Sequence, residues 1–188
     1  NDPMIPYLKA KIYYEKGNYS EVMRLLAPQI VDDPKGRSID TYILFLKNKV
    51  ALAGSIDNQD DVKTIEQIKS ELDVFIHRDF SNEQLFEITD LCLAISDPKR
   101  AYQYLKKVEN PSQKTKERLF NLALQNGLYE DAVFYKRQEC LNNETLDNYK
   151  ELFNLYLQAS SPELYKNFID TYKGSLRENP EFIKAQID

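Results

Sequence analysis

Leu91-Cys92-Leu93-Ala94-Ile95-Ser96-Asp97-Pro98 is echoed further along the chain by Leu155-Tyr156-Leu157-Gln158-Ala159-Ser160-Ser161-Pro162, with two leucines, a serine and the proline identical. Each copy closes an apolar stretch spaced for a helix and then supplies a capping side chain, Asp97 or Ser161. Proline follows at the first helical position, where its missing N–H costs nothing. The stretch reads as the turn inside a helix pair, and its recurrence predicts that the pair is a repeating unit.

Working outward, the same helical spacing recurs in Ile12, Tyr13, Val22, Leu25 and Leu26, in Ile65, Ile68, Leu72, Phe75 and Ile76, and in Leu85, Ile88, Leu91, Cys92 and Ile95. Breaks are expected near Gly17-Asn18, Asp33 to Arg37, Gly54 to Asp60, Arg78 to Asn82, Ser96-Asp97, Asn110-Pro111, Asn126-Gly127, Asn142-Asn143, Ser160-Ser161 and Gly174 to Pro180. These predict an all-α chain of about ten helices, or about five helix pairs. Ser96, Gly127 and Ser160 lie 31 and 33 residues apart, and Gly17, Gly54 and Ser96 lie 37 and 42 apart. Pro28 falls inside the stretch Val22 to Val31 and is expected to kink or split it.

Of the 188 residues only 5 are Gly, and the net charge is −5, which excludes collagen-like classes and disfavours nucleic acid as a partner. No apolar run reaches the ~20 residues of a membrane-spanning helix, so a soluble chain is expected, in the bacterial periplasm or the cytoplasm. Cys92 and Cys140 each fall in a helical apolar pattern and read as free buried thiols.

Catalytic chemistry is thin. His77 is the only histidine, at an expected helix end, and His77-Arg78-Asp79 lacks the glycine-rich loop that a kinase site would need. Asp57, Asp60 and Asp61 lack the spacing of a calcium loop and read as a solvated insertion. No enzyme activity, no metal and no cofactor are expected.

The residues resemble the tetratricopeptide repeat, a helix–turn–helix unit of about 34 residues. Ala10, Tyr13, Tyr14, Gly17-Asn18-Tyr19, Val22, Leu26, Ile30 and Asp33-Pro34 carry the resemblance in the first repeat. Gly127-Leu128-Tyr129-Glu130-Asp131-Ala132 carries it in the fourth, and Ala101 in the third. The tryptophan of the family's first helix is missing, and Lys47 and Phe120 stand where the family prefers a small residue. Leu91 to Ala101 and the Gly127 to Ala132 turn are also similar to the repeat arms of Pel-type bacterial exopolysaccharide-export proteins.

The resemblance implies an α-α superhelix formed as a single array over residues 1–188. Its repeats would cover about 3–35, 38–78, 82–110, 112–142 and 144–174, with a further helix starting at 180–188, as expected of a piece of a longer chain. It implies protein–protein interaction as the function, with a concave groove lined by Tyr7, Lys11, Leu44, Asn48, Phe86, Asp90, Lys114, Arg118, Asn121, Lys150 and Asn154. The expected partner is another protein, as an extended peptide, helix or domain. The alternatives are an export arm that recruits polysaccharide-modifying enzymes and a structural subunit of a larger assembly. Between Asp97 and Arg118 seven basic side chains, Lys99, Arg100, Lys106, Lys107, Lys114, Lys116 and Arg118, face only three acidic ones. That excess predicts a basic ridge suited to an acidic segment or an anionic polymer.

Overall fold

The computed structural model describes residues 4–32, 38–53, 59–159 and 162–171, together with Glu178 and Pro180. Among the described residues there are ten helices and no strands: α1 (Met4–Glu15), α2 (Tyr19–Asp32), α3 (Ile39–Ala53), α4 (Gln59–Phe75), α5 (Asn82–Ala94), α6 (Pro98–Leu105), α7 (Gln113–Gln125), α8 (Tyr129–Asn142), α9 (Leu146–Gln158) and α10 (Pro162–Thr171). Most helices pack on a neighbour in sequence, α1 on α2, α2 on α3, α3 on α4 and α5 on α6, then α7 on α8, α8 on α9 and α9 on α10, while α5 packs on α3; this is the all-α helical-repeat architecture that the spacing predicts. The chain divides into two compact units, Asn1–Glu109 and Asn110–Asp188, and the division falls at the expected break Asn110-Pro111.

Three of the turns share one construction. At Gly17 (φ 71°), Ser96 (φ 57°) and Gly127 (φ 68°) the chain passes through the left-handed region. The next residue's N–H then reaches back five positions: Asn18 to the Tyr13 carbonyl at 2.9 Å, Asp97 to Cys92 at 2.9 Å and Leu128 to Ala123 at 2.8 Å. These bonds satisfy carbonyls orphaned at a helix end. Glycine adopts that conformation freely, whereas Ser96 holds it at a cost of about 1–2 kcal/mol.

In the first unit, Ala10, Val22, Leu26 and Leu44 form a core where α1, α2 and α3 meet, flanked by Tyr7, Tyr13, Tyr14, Leu25 and Phe45. Ala101 and, in the second unit, Ala132 are likewise fully buried, which allows close approach of helix axes. Asp97 caps α6, its Oδ1 accepting from the Arg100 N–H at 3.0 Å with Pro98 first in the helix. Ser81 and Gln84 form a reciprocal capping box at the start of α5.

Pro28 does not split its helix, because α2 runs through it to Asp32. Its ring lies on the exposed side, and the neighbouring Leu25 carbonyl accepts from the Gln29 side chain at 3.2 Å. The breaks expected at 33–37 and 160–161 lie outside the described residues, as do most of those expected at 54–60 and 174–180, although α4 begins at Gln59 and takes in Asp60.

Both cysteines are free and fully buried, and burial pushes each thiol up to about 12. They behave as small apolar core residues.

Candidate functional site

The first helix of each pair buries one side and turns the other outward, and most of the expected groove residues fall on the outward side, those of α3 excepted. In the second unit α7 buries Thr115, Leu119, Leu122 and Ala123, leaving Lys114 and Asn121 exposed with Arg118 half-buried between them. α9 buries Tyr149, Leu152, Leu155 and Tyr156 and exposes Lys150 and Asn154. In the first unit Lys11 and Asp90 are exposed, while Tyr7 and Phe86 are half-buried.

Asn48 and Leu44 are corrections to the expected groove. Asn48 is 0% exposed, and its Nδ2 donates to the Tyr19 carbonyl at 3.1 Å, so the side chain ties α3 to the start of α2. Leu44 belongs to the α1–α2–α3 core. The neighbour of Asn48 takes the outer position: Lys47 Nζ lies 3.2 Å from Glu87 of α5 and 5.7 Å from the centre of the Tyr14 ring. A shift of one residue turns a helix by about 100°, enough to exchange a facing residue for a buried one.

Three of the seven side chains of the basic excess are engaged within the first unit. Arg100 forks onto Asp73 of α4, with Nε–Oδ1 at 2.8 Å and Nη2–Oδ2 at 2.6 Å, and it also contacts Asp97. This bidentate bond holds the Asp73 carboxyl below the usual carboxylate range. Lys107 donates to the Ile76 carbonyl, and Lys106 lies over the Tyr102 ring at 5.4 Å. Lys99 is exposed. Lys114, Lys116 and Arg118 belong to the other unit, at the start of α7.

Two features of the second unit were missed in the sequence. Lys136 is only 3% exposed, on the buried side of α8 with Ala132, Val133 and Cys140. Its Nζ contacts Glu151 at 2.6 Å, Glu139 at 3.0 Å and Asn148 Oδ1 at 3.0 Å, and lies over the Phe120 ring at 5.8 Å. Burial alone would lower its pKa, but the hydrogen bonds to Glu151 and Glu139 outweigh burial and raise it, so the lysine is charged. The signal was a lysine four residues from Ala132 and four from Cys140 in an otherwise apolar stripe.

The second feature is an open cavity of about 600 Å³ between α8, α9 and α10, lined by Val133, Phe134, Tyr156, Ala159, Leu164 and Phe168, with Glu130, Arg137 and Asn167. Phe134 is 59% and Leu164 57% exposed. Arg137 stacks over the Phe168 ring at 4.8 Å. Its lining offers apolar surface and a few polar groups, the composition of a binding site.

His77 is exposed just beyond α4. Among the described residues no group of three or more histidine, cysteine, aspartate or glutamate side chains is placed to hold a metal ion, and no helix is long and apolar enough to cross a membrane. No protein-family model matches the chain, and no curated protein matches it at a significant level.

Proposed function

We propose that this protein is a non-catalytic scaffold that holds another protein on the exposed faces of its helices. The observation that carries this reading is the α8–α9–α10 cavity, whose exposed Phe134 and Leu164 can receive apolar side chains of a partner. The polar outer faces of α7 and α9 extend the same kind of surface. Lys114, Asn121, Lys150 and Asn154 present charge and amide groups to a partner's main chain without reading its sequence. The similarity of Leu91 to Ala101 and of the Gly127 to Ala132 turn to export-protein repeat arms supports a more specific form of this reading, in which the partner is a polysaccharide-modifying enzyme in the periplasm.

Two variants test the scaffold, Phe134→Ser with Leu164→Ser in the cavity and a fourfold alanine change at Lys114, Asn121, Lys150 and Asn154. Both sets are exposed, so each melt is expected to stay close to wild type, within about 0.5 kcal/mol for surface changes. A partner recovered by affinity capture with the wild-type chain is expected to bind each variant at least ~10-fold more weakly, as for residues at an interface centre. Equal affinity for wild type and both variants removes these surfaces as the binding site.

A further inference from the structure

α1 is apolar on two opposite sides. One side carries Ala10 into the core of the first unit with Tyr7, Tyr13 and Tyr14 around it. The other carries Ile5, Leu8 and Ile12, with Met4 at its start, and each of these four side chains is 51–52% exposed. Their spacing places them in one stripe along about two turns. Soluble helices bury one such stripe, so a second stripe of large side chains marks a contact surface.

The borders of the stripe say what covers it. Lys9 and Lys16 follow one edge and Lys11 the other, with Glu15 at the far end. None of these lysine side chains has a hydrogen-bond or ion-pair partner among the described residues. The same unit shows how such a helix is met, since α5 packs on α3 with Glu87 on Lys47 at 3.2 Å and Gln84 on Asp40 at 2.7 Å. There an apolar contact is bordered by a lysine on one helix and a carboxylate on the next.

We propose that the outer stripe of α1 docks a helix of a partner protein whose apolar face is bordered by aspartate or glutamate. Apolar burial supplies the affinity, and the lysine borders select acidic helices and speed their encounter. The chain's own net charge of −5 weighs against an anionic lipid surface as the occupant. This surface is made of first-unit residues, whereas the cavity and the α7 and α9 faces are made of second-unit residues, so its variants test it independently of theirs.

The test titrates the full chain against two labelled synthetic helical peptides that share one leucine stripe, bordered by glutamates in the first and by lysines in the second. Fluorescence anisotropy is expected to show saturable binding of the glutamate peptide, weaker at ~0.15 M salt than at low salt, where the screening length is longer than ~8 Å. Leu8→Ser with Ile12→Ser is expected to weaken it at least ~10-fold with the circular-dichroism melt unchanged, as for exposed anchors of an interface. Lys9→Glu with Lys16→Glu is expected to reverse the preference toward the lysine peptide. No binding, equal binding of both peptides, or binding indifferent to Leu8 and Ile12 overturns the proposal. So does self-association in sedimentation that the Leu8 and Ile12 changes abolish, which assigns the stripe to a second copy. Co-sedimentation with phosphatidylserine vesicles that the same changes abolish assigns it to a membrane and also overturns the proposal.

Discussion

The first unit fastens its helices with an arginine near the surface, the second with a lysine in its interior. Arg100 spans α6 and α4, gripping Asp73 and Asp97 with part of its fork in water. Lys136 spans α8 and α9, with Glu139, Glu151 and Asn148 around a cation that water hardly reaches. The geometry of each residue suits its place. A planar guanidinium can engage a half-exposed carboxylate at two points, whereas an ammonium on a flexible stem can thread an apolar stripe and meet three acceptors at its tip. An ion pair near water contributes little, but a buried cation that loses its acceptors, or carboxylates that lose their cation, cost more.

The largest effect is therefore expected at Lys136. Lys136→Met keeps the stem and removes the charge, leaving Glu139 and Glu151 facing each other. It is expected to cost about 2–3 kcal/mol, below the 3–5 kcal/mol of a fully buried pair because both glutamates keep some water. A urea midpoint equal to wild type breaks the comparison. Because its folded pKa is raised, the lysine's contribution is complete below the ordinary lysine value and is lost as pH rises through the folded one.

A smaller effect, at most about 1 kcal/mol, is expected for Asp73→Asn, since the carboxylate is more than half exposed. Here the sign is opposite. The Arg100 hydrogen bond depresses the folded pKa of Asp73, so its stabilisation is present at neutral pH and lost as pH falls below the usual carboxylate range. Urea midpoints measured against pH are expected to converge for wild type and Asp73→Asn in acid, and parallel curves contradict the assignment.

The smallest effect sharpens the comparison by separating backbone strain from ion pairing. Ser96→Gly relieves the left-handed conformation one residue before Asp97, against the entropy that glycine adds to the unfolded chain. A net gain of about 0.5 kcal/mol is expected, with the Asp73 pH dependence unchanged. A loss of stability shows that the Ser96 side chain contributes more than its strain costs.

Much of the fold could be read in advance because its determinants are local. The turn at Gly17, the cap at Asp97 and the buried alanines at 10, 101 and 132 follow from which residue tolerates a conformation or a close approach. The surface was less legible because a sequence reports charge without its partner. Arg100 counted toward a ridge until Asp73, distant in sequence, was placed beside it. Asn48 counted toward a groove because the resemblance to a repeat register put it there, and the Tyr19 carbonyl that holds it inward belongs to another helix. The α8–α9–α10 cavity depends on how three helices splay, which no single stripe encodes.

Asn126-Gly127 is a sequence in which an asparagine ages easily: the glycine nitrogen attacks the side-chain amide carbon, ammonia leaves, and a water molecule then opens the resulting succinimide to aspartate or isoaspartate. In the α7–α8 turn both participants are held elsewhere, the Gly127 N–H by the Leu124 carbonyl at 3.0 Å and the Asn126 amide by the Leu122 carbonyl at 2.7 Å. Cyclisation has to wait for the turn to open, so isoaspartate accumulates at a rate set by local opening of that hairpin. The same bonds that end a helix thus also set the shelf life of the chain.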